Sequence, residues 1–251
     1  MKNKYLLVLC IILFATACAS VGITGRRQLM LVDPGQESAL GLQAWQEVMS
    51  QSKISTDAEN TRLVNEVGAR IAAISGADYD WKFALIEDKS INAFCLPGGK
   101  VAIYTGILPY TQTADGLAVV ISHEVAHALA RHAAERMSQE MLMNTGLSIT
   151  AGALGQNANK DLIMGLLGTG GQIGILLPYS RKHEFEADRI GLVLMAKAGY
   201  NPAAAVEFWQ RMSQSGGGAS LTFLSTHPSD AQRIAEMQKN LPEAMKYYNK
   251  K

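Results

Sequence analysis

The chain is 251 residues long and 48% hydrophobic, and its 23 Lys and Arg against 22 Asp and Glu give a formal net charge of +1. A near-neutral chain with no basic block offers no electrostatic footprint for nucleic acid, which excludes that class of partner. The length and apolar fraction suit one domain with a sizeable core, and no internal repeat or strongly biased tract is visible.

The chain opens Met1-Lys2-Asn3-Lys4 and then runs apolar from Tyr5 to Ala17. A basic start followed by a run too short to span a bilayer reads as a signal segment. The run ends Ala15-Thr16-Ala17-Cys18, small residues before a cysteine, which resembles a bacterial lipoprotein signal cleaved before Cys18. Acyl groups on Cys18 would then anchor an otherwise soluble protein to a membrane. Ala19 rather than aspartate follows, which resembles cargo sent to the outer membrane, facing the periplasm. The expected organisation is a signal peptide over 1–17, a tether and lead-in over 18–35, and a single domain over 36–251. Cys10 leaves with the signal and Cys18 carries lipid, so Cys95 alone remains and no intramolecular disulfide is available. Between Phe94 and Leu96, it reads as a small buried hydrophobe.

Residues 36–49 predict a helix. Thr56-Asp57-Ala58-Glu59 reads as a capping box that opens a second one, with Leu63, Val64, Val67, Ile71 and Ile74 at helical spacing and Gly76 as its stop. The period then shortens to two. Trp81, Phe83 and Leu85 alternate, which predicts a strand over 80–87. Residues 91–96, the turn Pro97-Gly98-Gly99 and residues 100–105 follow as the arms of a hairpin. A sheet edge here can pair with an extended peptide. Asn92 and Gly98-Gly99 serve either such a substrate or only a tight hairpin.

Residues 119–132 read V-V-I-S-H-E-V-A-H-A-L-A-R-H. On a helix His123 and His127 lie one turn apart on one face, with Glu124 beside them. Two imidazoles at that separation can share one zinc ion, and the glutamate can serve as general base towards water. The surrounding residues are apolar, as in a buried helix, so the three polar groups need partners. His132, five residues past His127, falls on a different part of the helix and reads as a surface or last-turn histidine rather than a ligand. Helix is expected to continue through Arg136 and Met141 to about Leu147. Residues 145–178 are rich in Gly, Ala, Leu and Ile and suit a buried helix pair, or else a lid over the site whose apolar surface could touch membrane or substrate.

Residues 180–198 again show helical apolar spacing, with Gly199 as the stop. A catalytic zinc takes a third protein ligand and keeps one open position. His183, Glu184, Glu186 and Asp188 are the candidates. Glu184 and Asp188 share a face, so one can bind metal while the other holds a histidine N–H. Asn201-Pro202 starts a helix through Trp209 and Met212, Gly216–Gly218 breaks it, and Thr226-His227-Pro228 opens another with Asp230 in its first turn.

The pair His123-Glu-Val-Ala-His127 and Ser180-Arg-Lys-His-Glu184-Phe-Glu-Ala-Asp188 resembles the HtpX and CAAX-prenyl-protease family of zinc metallopeptidases. The resemblance extends to Thr24-Gly-Arg-Arg27, to Asn92-Ala93-Phe94 with Pro97-Gly98-Gly99, and to Thr226-His-Pro228 with Arg233. It implies Glu184 as third zinc ligand, Asp188 as its supporting acid, and Glu186 as a decoy. It implies that Asn92, Ala93, Phe94, Gly98 and Gly99 bind substrate. His227 would donate to the oxyanion or cover the zinc at rest, unless it only caps a helix or supports a neighbour. Arg233 would stabilise the intermediate or brace an acidic residue. With no convincing membrane span and no helical-repeat domain, the chain resembles the short LoiP-like periplasmic lipoprotein branch.

The expected fold is α+β, a mainly helical zincin-like (gluzincin) metallopeptidase with a small β-sheet before the H-E-x-x-H helix. The expected cofactor is one Zn2+ per chain. The expected activity is internal cleavage of misfolded or misassembled outer-membrane and periplasmic proteins. Outer-membrane lipid and the envelope assembly machinery are the expected partners besides substrate. The rival is a non-catalytic or self-blocked chaperone or assembly factor of the same fold, against which an intact Glu124 weighs, since a structural zinc site needs no base.

Overall fold

The computed structural model describes residues 18–151, 180–214, 222–227 and 231–249. The expected signal peptide, most of segment 145–178, the Gly216–Gly218 break and residues 228–230 lie outside these. Among the described residues no helix is long and apolar enough to cross a membrane.

A two-stranded antiparallel hairpin, β1 (Cys18–Ser20) and β2 (Arg27–Leu29), leads into α1 (Pro34–Gln51). Asp33 caps α1 by accepting the Gln36 amide, and a proline occupies the first turn. Helix α2 (Ala58–Ser75) is capped by Asp57, one residue later than the capping-box spacing predicts. The Asp57 carboxylate accepts both the Asn60 amide at 3.0 Å and the Asn60 side chain at 2.7 Å. The Thr56 hydroxyl could not present two such acceptor oxygens. Gly76 closes α2 in the left-handed region.

The period-two stretch folds as β3 (Lys82–Ile86), β4 (Ala93–Leu96) and β5 (Lys100–Tyr104), in the order β3-β5-β4. β3 runs parallel to β5 and β4 antiparallel to it. Alternation divides the sheet cleanly. Leu85, Ala93, Cys95, Val101 and Ile103 face a core shared with α2 and the motif helix, whereas Ile86, Phe94, Leu96, Ala102 and Tyr104 face Ala44 and Val48 of α1. Both faces are therefore covered, and every residue of β4 and β5 is buried.

A 3-10 turn (Thr105–Ile107) and the short α3 (Leu108–Thr111) lead to the motif helix, α4 (Ala114–Leu129), capped by the Thr113 hydroxyl. α4 is buried along nearly its whole length, from Gly116 to Ala128. Its most extensive partner is α6 (Arg181–Lys197), and α2, the sheet and α7 (Ala204–Gln214) surround the rest. The short α8 (Thr222–Thr226) and then α9 (Ala231–Met245) complete the described fold, α9 packing on α6.

The continuous helix expected to about Leu147 is broken. α4 ends at Leu129, Arg131 takes a positive φ of 54°, and α5 (His132–Ala151) starts in a new direction. A non-glycine residue in that region costs about 1–2 kcal/mol. The Arg131 guanidinium offsets this by pairing with Glu37 of α1 at 2.6 Å and donating to the Val32 carbonyl at 3.2 Å.

α6 approaches α4 closely because Gly191 has no side chain. A Cβ there would lie 3.3 Å from the His123 amide nitrogen and from the Ser122 carbonyl. Gly191→Leu is expected to push the helices apart and destabilise the protein by about 1–3 kcal/mol. Urea denaturation of the variant beside wild type checks this, and an unchanged midpoint would refute it.

Candidate metal centre

Three elements deliver the polar groups. α4 supplies His123, Glu124 and His127, α6 supplies Glu184 and Asp188, and the end of α8 supplies His227. All six are buried. His227 directly follows α8, and its amide donates to the Phe223 carbonyl at 2.7 Å; the helix that the sequence expects from Thr226-His227-Pro228 is described from Ala231 onward, as α9. Its side chain is thereby aimed into the core.

His123, His127, Glu184 and His227 each offer one ligand atom, all within 4.8 Å of one another. His123 Nε2 lies 3.1 Å from His127 Nε2 and 3.3 Å from Glu184 Oε2, and His127 Nε2 lies 3.4 Å from Glu184 Oε1. His227 Nδ1 lies 3.2 Å from His123 Nε2 and 3.1 Å from Glu184 Oε1. Ligands about 2.0–2.1 Å from a tetrahedral zinc lie roughly 3.3 Å from each other, so the cluster has the edge lengths of such a site. The donor set of imidazoles and one carboxylate is also that of zinc.

The electrostatics point the same way. Burial alone would lower the pKa of His123, but Asp188 and Glu184 outweigh it and raise it to about 9. Burial alone would raise Glu184, yet His227, His123 and His127 hold it well below the usual carboxylate range. The pocket thus favours positive charge where these atoms converge. Burial is the dominant influence on His127 and holds its pKa well below the ordinary value.

Asp188 Oδ1 lies 3.0 Å from His123 Nδ1, which leaves His123 Nε2 to face the cluster. Arg233 holds Asp188 with both arms, at 2.8 and 2.7 Å, and also pairs with Glu184 Oε2 at 2.9 Å. It donates to the His227 carbonyl and stacks its guanidinium 4.0 Å over the Trp209 ring. In this conformation Arg233 braces acidic neighbours. Glu124 stands beside the cluster, 3.4 Å from His227 Nε2, and burial raises its pKa while His227 and His123 pull it down. The backbone N–H of Cys95 on β4 also pulls the Glu124 pKa down, a smaller influence than the two histidines.

The Tyr104 amide bonds to the Asn92 carbonyl. Pairing alternates in an antiparallel ladder, so Ala93 and Cys95 turn their backbone groups to the edge away from β5. That edge faces Glu124. The Asn92 side chain neighbours the Tyr104 hydroxyl, and the Phe94 ring lies against Tyr104 on the α1 side, away from the cluster. Gly98 and Gly99, with φ of 76° and 83°, form the hairpin turn, and a Cβ on Gly99 would lie 2.7 Å from the Trp81 ring.

One group eluded the sequence. His132 is not a surface histidine: it is fully buried, with Nδ1 2.9 Å from His127 Nδ1 and Nε2 3.0 Å from Glu186 Oε2. Burial, opposed by Glu186, sets its pKa at about 4. The break at Arg131 is what turns it back towards His127, which helical spacing could not reveal. Glu186 is not one of the four clustered residues; it is buried and accepts from Thr24, Arg26 and His132. His183 stacks on His132, ring centroids 4.4 Å apart, and reaches Glu135 at 3.0 Å.

The sequence profile of peptidase family M48 matches residues 56–241. The chain belongs to peptidase family M48. It is 40% identical to the mitochondrial metalloendopeptidase OMA1 of Schizosaccharomyces pombe, over 89% of this chain and 66% of the relative. The corresponding protein of Saccharomyces cerevisiae is 31% identical, over 98% of this chain and 76% of the relative. The beta-barrel assembly-enhancing protease of Yersinia pestis is 30% identical, over 83% of this chain but only 46% of the relative. M48 membership and the buried His/His/Glu/His cluster support zinc metalloendopeptidase activity.

Glu135 provides a pH test of the supporting network. Burial would raise its pKa, but hydrogen bonds from His183 and Arg26 outweigh it and lower it from the ordinary 4.5 to about 2. A depressed folded-state pKa contributes stability that is fully present above the ordinary value and is lost as pH falls towards the folded one. The melting temperature is therefore expected to drop between pH 4.5 and about 2, and to drop less steeply in Glu135→Gln. Parallel curves for the two proteins would count against the ion pair.

Proposed function

We propose that this chain is a zinc-dependent endopeptidase of the bacterial cell envelope, acting on unfolded or misassembled outer-membrane and periplasmic proteins. It would belong to the short LoiP-like branch of M48, held on the periplasmic face of the outer membrane by acyl groups on Cys18. The observation that carries the enzymatic part is the buried triangle of His123, His127 and Glu184 with Glu124 alongside. The envelope part rests on the small-residue run before Cys18 and on the likeness to a beta-barrel assembly-enhancing protease, which also favours the assembly machinery as a partner.

His123, His127 and Glu184 would hold one zinc ion, which when bound supplies a Lewis acid and lowers the pKa of coordinated water. Glu124 is the general base, taking a proton from water and returning it to the leaving amine. Its buried, raised-pKa carboxyl suits that exchange. An extended peptide would pair with the β4 edge at Ala93 and Cys95. Asn92 and Phe94 would hold that edge in place, and Gly98 and Gly99 would shape the hairpin that presents it. His227 covers the fourth corner in this conformation, so an incoming peptide has to displace it. Asp188 and Arg233 keep His123 and Glu184 oriented.

Two variants test the assignment against a self-blocked chaperone. Glu124→Gln is expected to keep wild-type zinc content and lose unfolded-substrate proteolysis by at least about a hundredfold. Glu184→Gln is expected to lose zinc. Full proteolysis in the first, unchanged zinc in the second, or wild-type cleavage indifferent to chelator would each overturn the corresponding role. For the anchor, Cys18→Ser expressed in a Gram-negative cell is expected to move the protein from the outer-membrane fraction to the soluble one. Retention on the membrane would rule out lipidation as the tether.

A further inference from the structure

The two histidines of the motif helix are supported from behind in different ways. Nδ1 of His123 meets a carboxylate directly, at Asp188. Nδ1 of His127 meets another imidazole, His132, at 2.9 Å, and only then a carboxylate, Glu186, 3.0 Å from His132 Nε2. One proton arrangement makes both contacts hydrogen bonds and leaves His127 Nε2 with a bare lone pair. His127 Nδ1–H donates to His132 Nδ1, and His132 Nε2–H donates to Glu186. The reverse arrangement would put a proton on His127 Nε2, facing His123 and Glu184, where a ligand atom must be deprotonated.

The far end of this line is firmly held. Glu186 accepts from the Thr24 hydroxyl and from Arg26 Nε at 2.5 Å. The two terminal nitrogens of Arg26 grip both oxygens of Glu135, at 2.9 and 2.6 Å. Glu135 holds His183, which stacks on His132 at an interplanar angle of 22°. Thr24 and Arg26 come from the connection between β1 and β2. The hairpin ahead of the matched M48 region therefore reaches into the layer behind the metal centre.

We propose that His132 is a positioning residue for His127, and that Glu186, clamped by Thr24 and Arg26, fixes its tautomer and ring plane. The inference rests on reading His127 as a metal ligand. Removing the support behind a ligating histidine typically costs about ten- to hundredfold in metal affinity. A network that merely packs the hairpin onto the domain would cost folding stability and leave the affinity of the folded protein alone.

The test measures zinc affinity by chelator competition on folded apo-protein, with urea unfolding of the same samples alongside. His132→Leu is expected to weaken zinc binding about ten- to hundredfold and to shift the visible absorption of the cobalt-substituted protein. His132→Gln, whose amide keeps one acceptor and one donor, is expected to recover part of that loss. Wild-type zinc affinity in folded His132→Leu would overturn the proposal. Should that variant not fold, Glu186→Ala, which leaves the imidazole in place, decides in the same way. A wild-type protein that binds no zinc would strike the metal-centre reading itself, and the relay with it.

Discussion

At Gly191 two helices meet with no side chain between them, so the backbone of α6 lies against that of α4 beside His123. That contact sets where Glu184 and Asp188 stand relative to the two motif histidines. Glu184 must come within about 3.3 Å of both imidazoles to share a cation with them, and Asp188 must reach the other side of His123. A carboxylate has a short stem, so only close helix packing can bring it there. The apolar residues around α4 and α6 hold that spacing by excluding water and filling the core at native density.

The same packing makes the polar interior expensive and forces it to be complete. Several ionisable groups sit beyond the reach of bulk water, and each one left alone would cost far more than any surface charge. The structure answers with two chains of support. Arg233, Asp188 and His123 form one. Arg26, Glu186, His132 and His127 form the other. Each ends in a guanidinium that is itself bound to a second carboxylate, Glu184 for Arg233 and Glu135 for Arg26. The site is therefore braced from the α9 side and from the N-terminal hairpin, so residues far apart in sequence share one electrostatic unit.

The sheet contributes in a different manner. Both its faces are covered, so its only outlet is an edge, and β4 is the edge nearest Glu124. The backbone N–H of Cys95, on that edge, is among the groups that lower the Glu124 pKa. A peptide lying along Ala93 and Cys95 would be placed by the strand nearest Glu124. This gives the strand-before-motif order of the sequence a physical meaning.

Much of this was legible in the residues alone. Local periodicity is enough to predict α1, α2, the hairpin and the buried motif helix, because helix and strand each impose their own spacing on apolar side chains. The spacing of four within His123–His127, and of four between Glu184 and Asp188, likewise puts chemistry on one helical face before any fold is known. What local spacing cannot carry is a change of direction. Arg131 looks like any helical residue, yet Glu37 and the Val32 carbonyl draw it into a left-handed conformation. His132 then points inward instead of outward. The destination of Thr24 and Arg26, the burial of Glu186, and the place of His227 at the end of α8 were decided in the same way. Each depends on partners distant in sequence, and only the tertiary packing brings those partners within hydrogen-bonding range.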